Sequence, residues 1–361
     1  MTRSRWSTLL AVGGSTVLLF VLTSEPVARL LPFDARVRGD DFTRFWVASH
    51  SLISGTHTFP YKPGFGDFFY PAPYLFLTAP FGLLPRQWAD DLARLLTAAM
   101  LAAVIAWWGR RPGGGGRAAW LLAVSLPAVQ AVYLGQLATA LGLAALSLAV
   151  LAQRRGRWWL VGLALAVAFI RPANALPVVA ALAVGGWGNP RGLAAAAIAA
   201  LLVLVPMVLT ITLWDPSWPL DYAHVLGTYR FGVPALVSRA FGAAGLAALE
   251  VAACSLAVFW QRHDRGRPPS LDRSAAVLGM SIFAAPLTAA YSTAFIFPGT
   301  LVAMNLGWTS IVVLTAVVPW LLLWPRAIGP IPGYALAPLA LATIAAATIA
   351  WLVRRPAGSP E

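Results

Sequence analysis

Long apolar runs separated by short, arginine-bearing breaks set the pattern of this chain. The runs lie near 9–24, 92–108, 118–134, 138–152, 160–187, 192–213, 236–260, 275–297, 300–324 and 333–353. Most approach the roughly 20 residues a helix needs to cross a ~30 Å hydrocarbon core. Backbone inside lipid must satisfy its hydrogen bonds within its own segment, so the runs read as helices. The expected fold is all-α, a polytopic transmembrane helical bundle of about 10–11 membrane helices. Little polar sequence remains for a soluble domain, and 1–361 reads as a single integral membrane domain.

Three stretches break the regular pattern. Segment 25–91 carries Glu25, Asp34, Asp40, Asp41, Asp67, Asp90 and Asp91, more than half of the 13 acidic residues. It is the expected large first extracytoplasmic loop, with 92–353 holding the remaining transmembrane helices. Within it, 42–53 places Phe42, Phe45, Trp46 and Ser49 on one side at helical spacing, which suits a short helix lying in the membrane interface. The stretch 70–85 is apolar but holds Pro71, Pro73, Pro80 and Pro85, too short and too broken to cross, and reads as half-embedded on the outer face. The run 160–187 is interrupted by Arg171-Pro172 and flanked by Arg157 and Arg191. It is expected to enter and return, each arm about a dozen residues or roughly 18 Å. The alternative is one kinked span with Arg171 near mid-depth.

Composition narrows the class. The chain is 59% apolar and 11% charged, where a soluble domain carries roughly 45–50% and about 25%. An ordinary cytoplasmic globule is excluded. The net charge of +13 is almost wholly arginine, Lys62 being the only lysine. The arginines gather between apolar runs, as at Arg110, Arg111 and Arg117 or Arg154, Arg155 and Arg157. That is the mark of cytoplasmic loops, not of a nucleic-acid surface, and no nucleic-acid partner is expected. The same bias puts the N-terminus inside, ahead of a retained first span, and segment 25–91 outside. The alternation fails at the end, where Arg326 and the pair Arg354 and Arg355 flank a single run. Cys254 is the only cysteine, so no internal disulfide forms, and its apolar neighbours make it a core residue.

Few residues here can do chemistry. Gly39-Asp40-Asp41-Phe42 stands just before the interfacial helix, where a carboxylate could take a proton from an attacking hydroxyl. Capping of that helix by Asp40 or Asp41 is the competing role, and the two are compatible. An arginine inside an apolar run is costly and needs a partner. For Arg171 that partner is a lipid phosphate, matched to the guanidinium fork in charge and shape, or Glu250 in a structural ion pair. Gly135-Gln136 marks the outer end of the 118–152 hairpin. The loop 214–233 gathers Asp215, Trp218, Asp221, Tyr222, His224, Tyr229 and Arg230, which suits carbohydrate contact or the interfacial aromatic belt. His50, His57, His224 and His263 show no metal-ligand spacing, and Gly113 to Gly116 lie between arginines as a flexible link and not as a phosphate-cradling loop.

Together these stretches resemble the GT-C membrane glycosyltransferases, and within them glycosyltransferase family 87, the polyprenyl-phosphate-sugar-dependent mannosyl- and arabinosyltransferase-like proteins. The text that carries the resemblance is DDFTRFWVASHSLISGTHTFPY (40–61), FFYPAPYLFLTAPFGLLP (68–85) and YLGQLATALGLAALSLAVLAQRRGRWWLVGLALAVAFIRPANALP (133–177). Arg171-Pro172 stands where the family usually has Lys-Pro, and YPAP of 70–73 where it has Tyr-Pro-Pro. Near Pro286, relatives tend to follow the proline with a Ser, Trp and His group. Here the text is APLTAAYSTAFIFPG (285–299), without histidine, a departure that bears on the donor sugar and on activity.

The resemblance implies a sugar carried on a polyprenyl monophosphate and transferred, with inversion, at the extracytoplasmic side of the inner (plasma) membrane to a glycolipid or polysaccharide acceptor. Asp41 matches the family's catalytic aspartate, with Asp40 in reserve. Arg171 would hold the leaving phosphate, with Tyr70 and Gln136 beside it. Tyr61, His57, Asp221, Tyr222, His224 and Tyr291 complete the candidate substrate contacts. A lipid-linked donor needs no nucleotide loop and no resident cofactor; a divalent metal is left open. The rivals are a transporter or flippase, with Arg171 and Glu250 as a charge relay, and an inactive accessory subunit of a cell-envelope complex.

Overall fold

Helix breaks in this chain fall where proline and glycine dictate them, and they decide which helices reach across a membrane. The computed structural model describes residues 3–28, 39–55, 70–110, 119–227, 233–262, 270–284, 290–323 and 341–350, and among them all regular structure is helical. The elements in order are α1 (Arg3–Leu22), α2 (Glu25–Ala28), α3 (Asp40–Ser54), α4 (Leu75–Gly82), α5 (Arg86–Trp108), α6 (Leu126–Tyr133), α7 (Leu137–Arg154) and α8 (Trp158–Ala168). They continue as α9 (Pro172–Gly185), α10 (Pro190–Trp214), α11 (Trp218–Gly227), α12 (Val233–Gln261), α13 (Leu271–Ala284), α14 (Phe297–Asn305) and α15 (Ser310–Leu323), and α16 (Leu341–Ala350). Three are long and apolar enough to cross a membrane: α7, α10 and the Ala244–Gln261 part of α12. The protein is an all-α membrane protein.

Three of the expected spans are not continuous helices. In 118–134 a 3-10 turn, Trp120–Val124, precedes α6, because Pro127 tolerates only the first turn of a helix and its ring excludes one continuing from upstream. The runs 275–297 and 300–324 are redistributed over α13, a 3-10 turn at Ala290–Ile296, α14 and α15. Pro298 opens α14, and Gly307, at φ 105°, follows its end. Segment 70–85 forms a turn, Ala72–Tyr74, and the eight-residue α4, roughly 12 Å long and too short to cross.

The Arg171-Pro172 interruption makes a helical hairpin of α8 and α9. The proline fits the first position of α9, and the residue before a proline is pushed out of the helical region. Arg171 accordingly sits at φ −128°, ψ 78°. Both arms share one end: a Cβ on Gly186, just past α9, would stand 2.6 Å from the ring of Trp158, which opens α8. Gln153 at the end of α7 donates to Leu182 O of α9 at 2.7 Å. Arg171 is therefore the tip, at the far end from the Arg154–Arg157 break.

Small residues bring the helices together. Gly162 of α8 faces the backbone of Ala196 on α10, where any Cβ would overlap the carbonyl. Gly82 likewise seats α4 on the Ser49–His50 backbone of α3, and Ser49 and Thr78 share a buried 2.8 Å hydrogen bond. The central helix is α7, 72% of its apolar window buried, whereas α10 buries 17% and presents Leu201, Leu202, Leu209 and Leu213 outward. Such an exposed apolar face suits contact with lipid tails.

Candidate active site

Turn chemistry places the candidate residues at the α7 N-terminus and the α8–α9 tip. At the end of α6, Gly135 adopts φ 68°. Its N–H donates to Val132 O at 3.2 Å and that of Gln136 to Ala131 O at 2.7 Å. This double bond pattern closes a helix with glycine in the left-handed region. Gln136 is thereby fixed between α6 and α7. Gly39, also at φ 68°, precedes α3, donates its N–H to Tyr133 O at 2.9 Å, and caps the helix with no side-chain hydrogen bond. The cap position is thus taken by a glycine and not by Asp40 or Asp41.

Candidate residues meet in one network. Gln136 Nε2 donates to Asp41 Oδ2. Gln136 Oε1 accepts from the Tyr70 hydroxyl at 3.0 Å and from Thr139 Oγ1 at 3.2 Å. Thr139 Oγ1 in turn accepts from Arg171 Nη1. Arg171 Nε donates to Asn174 Oδ1 at 3.1 Å, and Asn174 Nδ2 reaches Ser281 O and Oγ, each at 3.2 Å, on α13. The guanidinium also lies 5.8 Å from the Phe295 ring centroid. Asp41, Tyr70, Gln136 and Arg171, spread over 130 positions of sequence, meet through two bridging side chains, Gln136 and Thr139.

The electrostatics divide the site. Among the described residues, both hydrogen-bond partners of Arg171 are neutral, and only two of its donor atoms are engaged. It also caps the N-terminus of α9, whose backbone N–H end favours anions. Tyr70, packed on Phe45 of α3 at 4.6 Å between centroids, has its hydroxyl pushed up to about 12, chiefly by burial; Arg171 opposes the shift and Asp41 adds to it. Burial also raises Tyr222, with Arg171 opposing and Tyr70 adding. Tyr222 on α11 therefore stands within electrostatic reach of both.

The other candidates lie apart or outside the described residues. Asp221 accepts from Ser217 Oγ at 2.8 Å, which also bonds Asp215 Oδ1 at 2.7 Å, in an exposed motif at the start of α11, and His224 is exposed. Tyr61 and His57 fall outside the described residues; the side chains of Asp40 and Tyr291 do too, as does Pro286. Among the described residues, no group of three or more His, Cys, Asp or Glu could hold a metal. The Arg171–Glu250 ion pair does not form. Glu250 instead lines a groove of about 630 Å³ with Leu176, Cys254 and Arg262, its Oε1 buried without a hydrogen bond among the described residues. A charge relay between the two has no geometric support.

Sequence reasoning missed Thr139, Asn174 and Phe295. Thr139 and Asn174 each stand three residues beyond a singled-out residue on the same helical face, Gln136 and Arg171, and that spacing was the available signal. Phe295 gave none. In comparison with known proteins, the model of glycosyltransferase family 87 matches residues 68–229. No curated protein and no solved structure matches the chain. The matched segment holds Tyr70, Gln136, Thr139, Arg171 and Tyr222, while Asp41 joins them only through the fold.

Proposed function

We propose that this chain, whose residues 68–229 match the model of glycosyltransferase family 87, is a membrane glycosyltransferase that moves mannose or arabinose from a polyprenyl monophosphate to a glycolipid or polysaccharide hydroxyl, inverting the anomeric carbon. The reaction takes place at the extracytoplasmic side of the plasma membrane, the side to which segment 25–91 is assigned by the arginines that precede the first span. The observation that carries the reading is a guanidinium with neutral partners and open donors on one hydrogen-bond network with a carboxylate.

In the reaction, the acceptor oxygen attacks the anomeric carbon while Asp41 takes its proton. The bond between that carbon and the phosphate oxygen breaks, and its electron pair leaves with the phosphate. Charge accumulates on the phosphate as it departs, and Arg171 with the α9 N-terminus stabilises it where it develops. Tyr70 stays protonated at neutral pH and donates to Gln136, which orients the Asp41 carboxylate. The prenyl tail remains in lipid beside the helices.

The experiment is an incubation of membranes with radiolabelled polyprenyl-phosphate mannose or arabinose, reading formation of a labelled glycolipid or glycan. Asp41→Asn is expected to lower turnover by about 10²–10⁴-fold while insertion stays normal. Unchanged turnover would overturn the assignment of the base. Labelling a cysteine placed at 54 or 86 from each side, in a Cys254→Ser background, tests the side of the site.

A further inference from the structure

One carboxylate beneath the site is used by no step above. Asp90, on the second turn of α5, lies against both turns that carry the network. A Cβ on Gly39 would overlap the Asp90 carboxylate, and one on Gly135 would stand 3.6 Å from Asp90 Oδ1, 3.7 Å from Gly39 Cα and 2.7 Å from Phe42 Cβ. Both glycines are at φ 68°, so the close approach and the backbone conformation each require glycine. Asp41 follows Gly39 by two residues and Gln136 follows Gly135 by one. The gap between the two turns, and hence the Gln136–Asp41 contact, closes on Asp90.

Asp90 is itself fixed from below. Arg94, with no exposed surface, places Nη1 4.0 Å from Asp90 Oδ2 and 3.3 Å from Asp91 Oδ1. Its Nη2 donates to Thr23 O and, at 2.9 Å, to Thr23 Oγ1 beyond the end of α1, and its guanidinium faces the Phe20 ring at 5.3 Å. These four anchors, two on α5 and two at Thr23 just past α1, hold Arg94 in place, and Asp90, one helical turn before it, is held with it.

We propose that Asp90 is a positioning residue for the Asp41 carboxylate, the surface on which the Gly39 and Gly135 turns close to set Asp41 against Gln136. The proposal rests on the reading of Asp41 as the base. It separates Asp90 from a mere counter-ion of Arg94, because the positioning surface is the shape of the side chain and the counter-ion is its charge. Asp90→Asn keeps the shape and loses the charge. Asp90→Ala loses both.

Two measurements test this. In the radiolabel assay, Asp90→Ala is expected to lower kcat roughly 10- to 100-fold, since an ångström-scale misplacement of a reacting group costs up to about that much, with donor KM changed less than about twofold. Asp90→Asn is expected to keep kcat within about threefold of the parent, even where its thermal stability in detergent falls. Independently of activity, the pair Asp41→Cys and Gln136→Cys in a Cys254→Ser background is oxidised with copper–phenanthroline, and the rate of disulfide formation is read. Adding Asp90→Ala is expected to slow it several-fold, and adding Asp90→Asn to leave it unchanged. Equal cross-linking in all three backgrounds overturns the proposal, as does an Asn variant as impaired in kcat as Ala, or a raised donor KM at unchanged kcat. If Asp41→Asn retains activity while cross-linking still slows with Asp90→Ala, the base assignment falls and the positioning of the two turns stands.

Discussion

Arg94 and Arg171 are both arginines in largely apolar helical surroundings, and the protein treats them in opposite ways. Arg94 is wholly buried and ion-paired: two aspartates, a backbone carbonyl and a hydroxyl meet its two terminal nitrogens. Arg171 is half-buried and held by a threonine hydroxyl and an asparagine carbonyl, which orient it without neutralising it. A guanidinium has five N–H donors and no acceptor. When carboxylates consume its charge it is a strut; when neutral groups fix its direction, the charge is kept for an anion that arrives. The contrast gives Arg171 a binding role and Arg94 a supporting one.

The largest effect is expected where that contrast is broken at its open end. Arg171→Ala should lower turnover of a polyprenyl-phosphate sugar by about 10²–10³-fold, the cost of removing one preorganised group that meets developing charge. Thermal stability in detergent should hardly change, since no ion pair is lost. Next comes Arg94→Met, which leaves Asp90 and Asp91 without their cation. Breaking a buried pair costs about 3–5 kcal/mol; here the loss should be nearer the lower bound, because the Asp91 side chain is 46% exposed and that of Asp90 21%. A lowered melting temperature with donor KM unchanged is the expected pattern. Reversed patterns for the two variants would erase the distinction.

Lysine substitution sharpens the same comparison at smaller amplitude. Arg171→Lys retains a point charge at the tip and should cost about tenfold or less in kcat/KM, a difference of about 1.4 kcal/mol. Lysine cannot span the separate partners of Arg94 on α1 and α5, which need a planar fork. Arg94→Lys should therefore recover little of the stability lost in Arg94→Met, as read by melting temperature.

How far the sequence carried this picture depends on the range of the interaction concerned. Helix breaks are local, so Arg171-Pro172 and Gly135-Gln136 announced the tip and the turn by residue type alone. Arg171 was conspicuous because 160–187 is otherwise apolar. Arg94 was not, since it follows Asp90 and Asp91 within four residues and reads as the polar start of a helix. The resemblance put Gln136 beside Arg171, whereas its union with Asp41, 95 residues away, has no local signature and came only from the fold. The runs at 118–134, 275–297 and 300–324 are interrupted, and hydropathy does not show it, because it counts apolar residues without registering that Pro127, Pro298 and Gly307 redirect the backbone.

The finest test concerns the neutral link between the two charges. Gln136 Nε2 donates to Asp41 and its Oε1 accepts from Tyr70 and Thr139, so the amide gives Asp41 a hydrogen bond but no charge. Gln136→Glu puts a second carboxyl against Asp41. Two carboxyl groups in contact cannot both ionise freely, and the pair must hold a proton to higher pH. Asp41 acts as a base only when deprotonated, so the acidic limb of kcat/KM against pH should move upward, by about one unit or more, and the variant should lose most at pH 5–6 and recover toward pH 8. Tyr70, pushed up to about 12 by burial, remains protonated throughout that window and contributes no limb of its own. The same substitution adds negative charge near Arg171, so donor KM should rise modestly at alkaline pH, where the pair is fully ionised. An acidic limb left in place by Gln136→Glu would mean that the proton acceptor is not the carboxylate this amide touches.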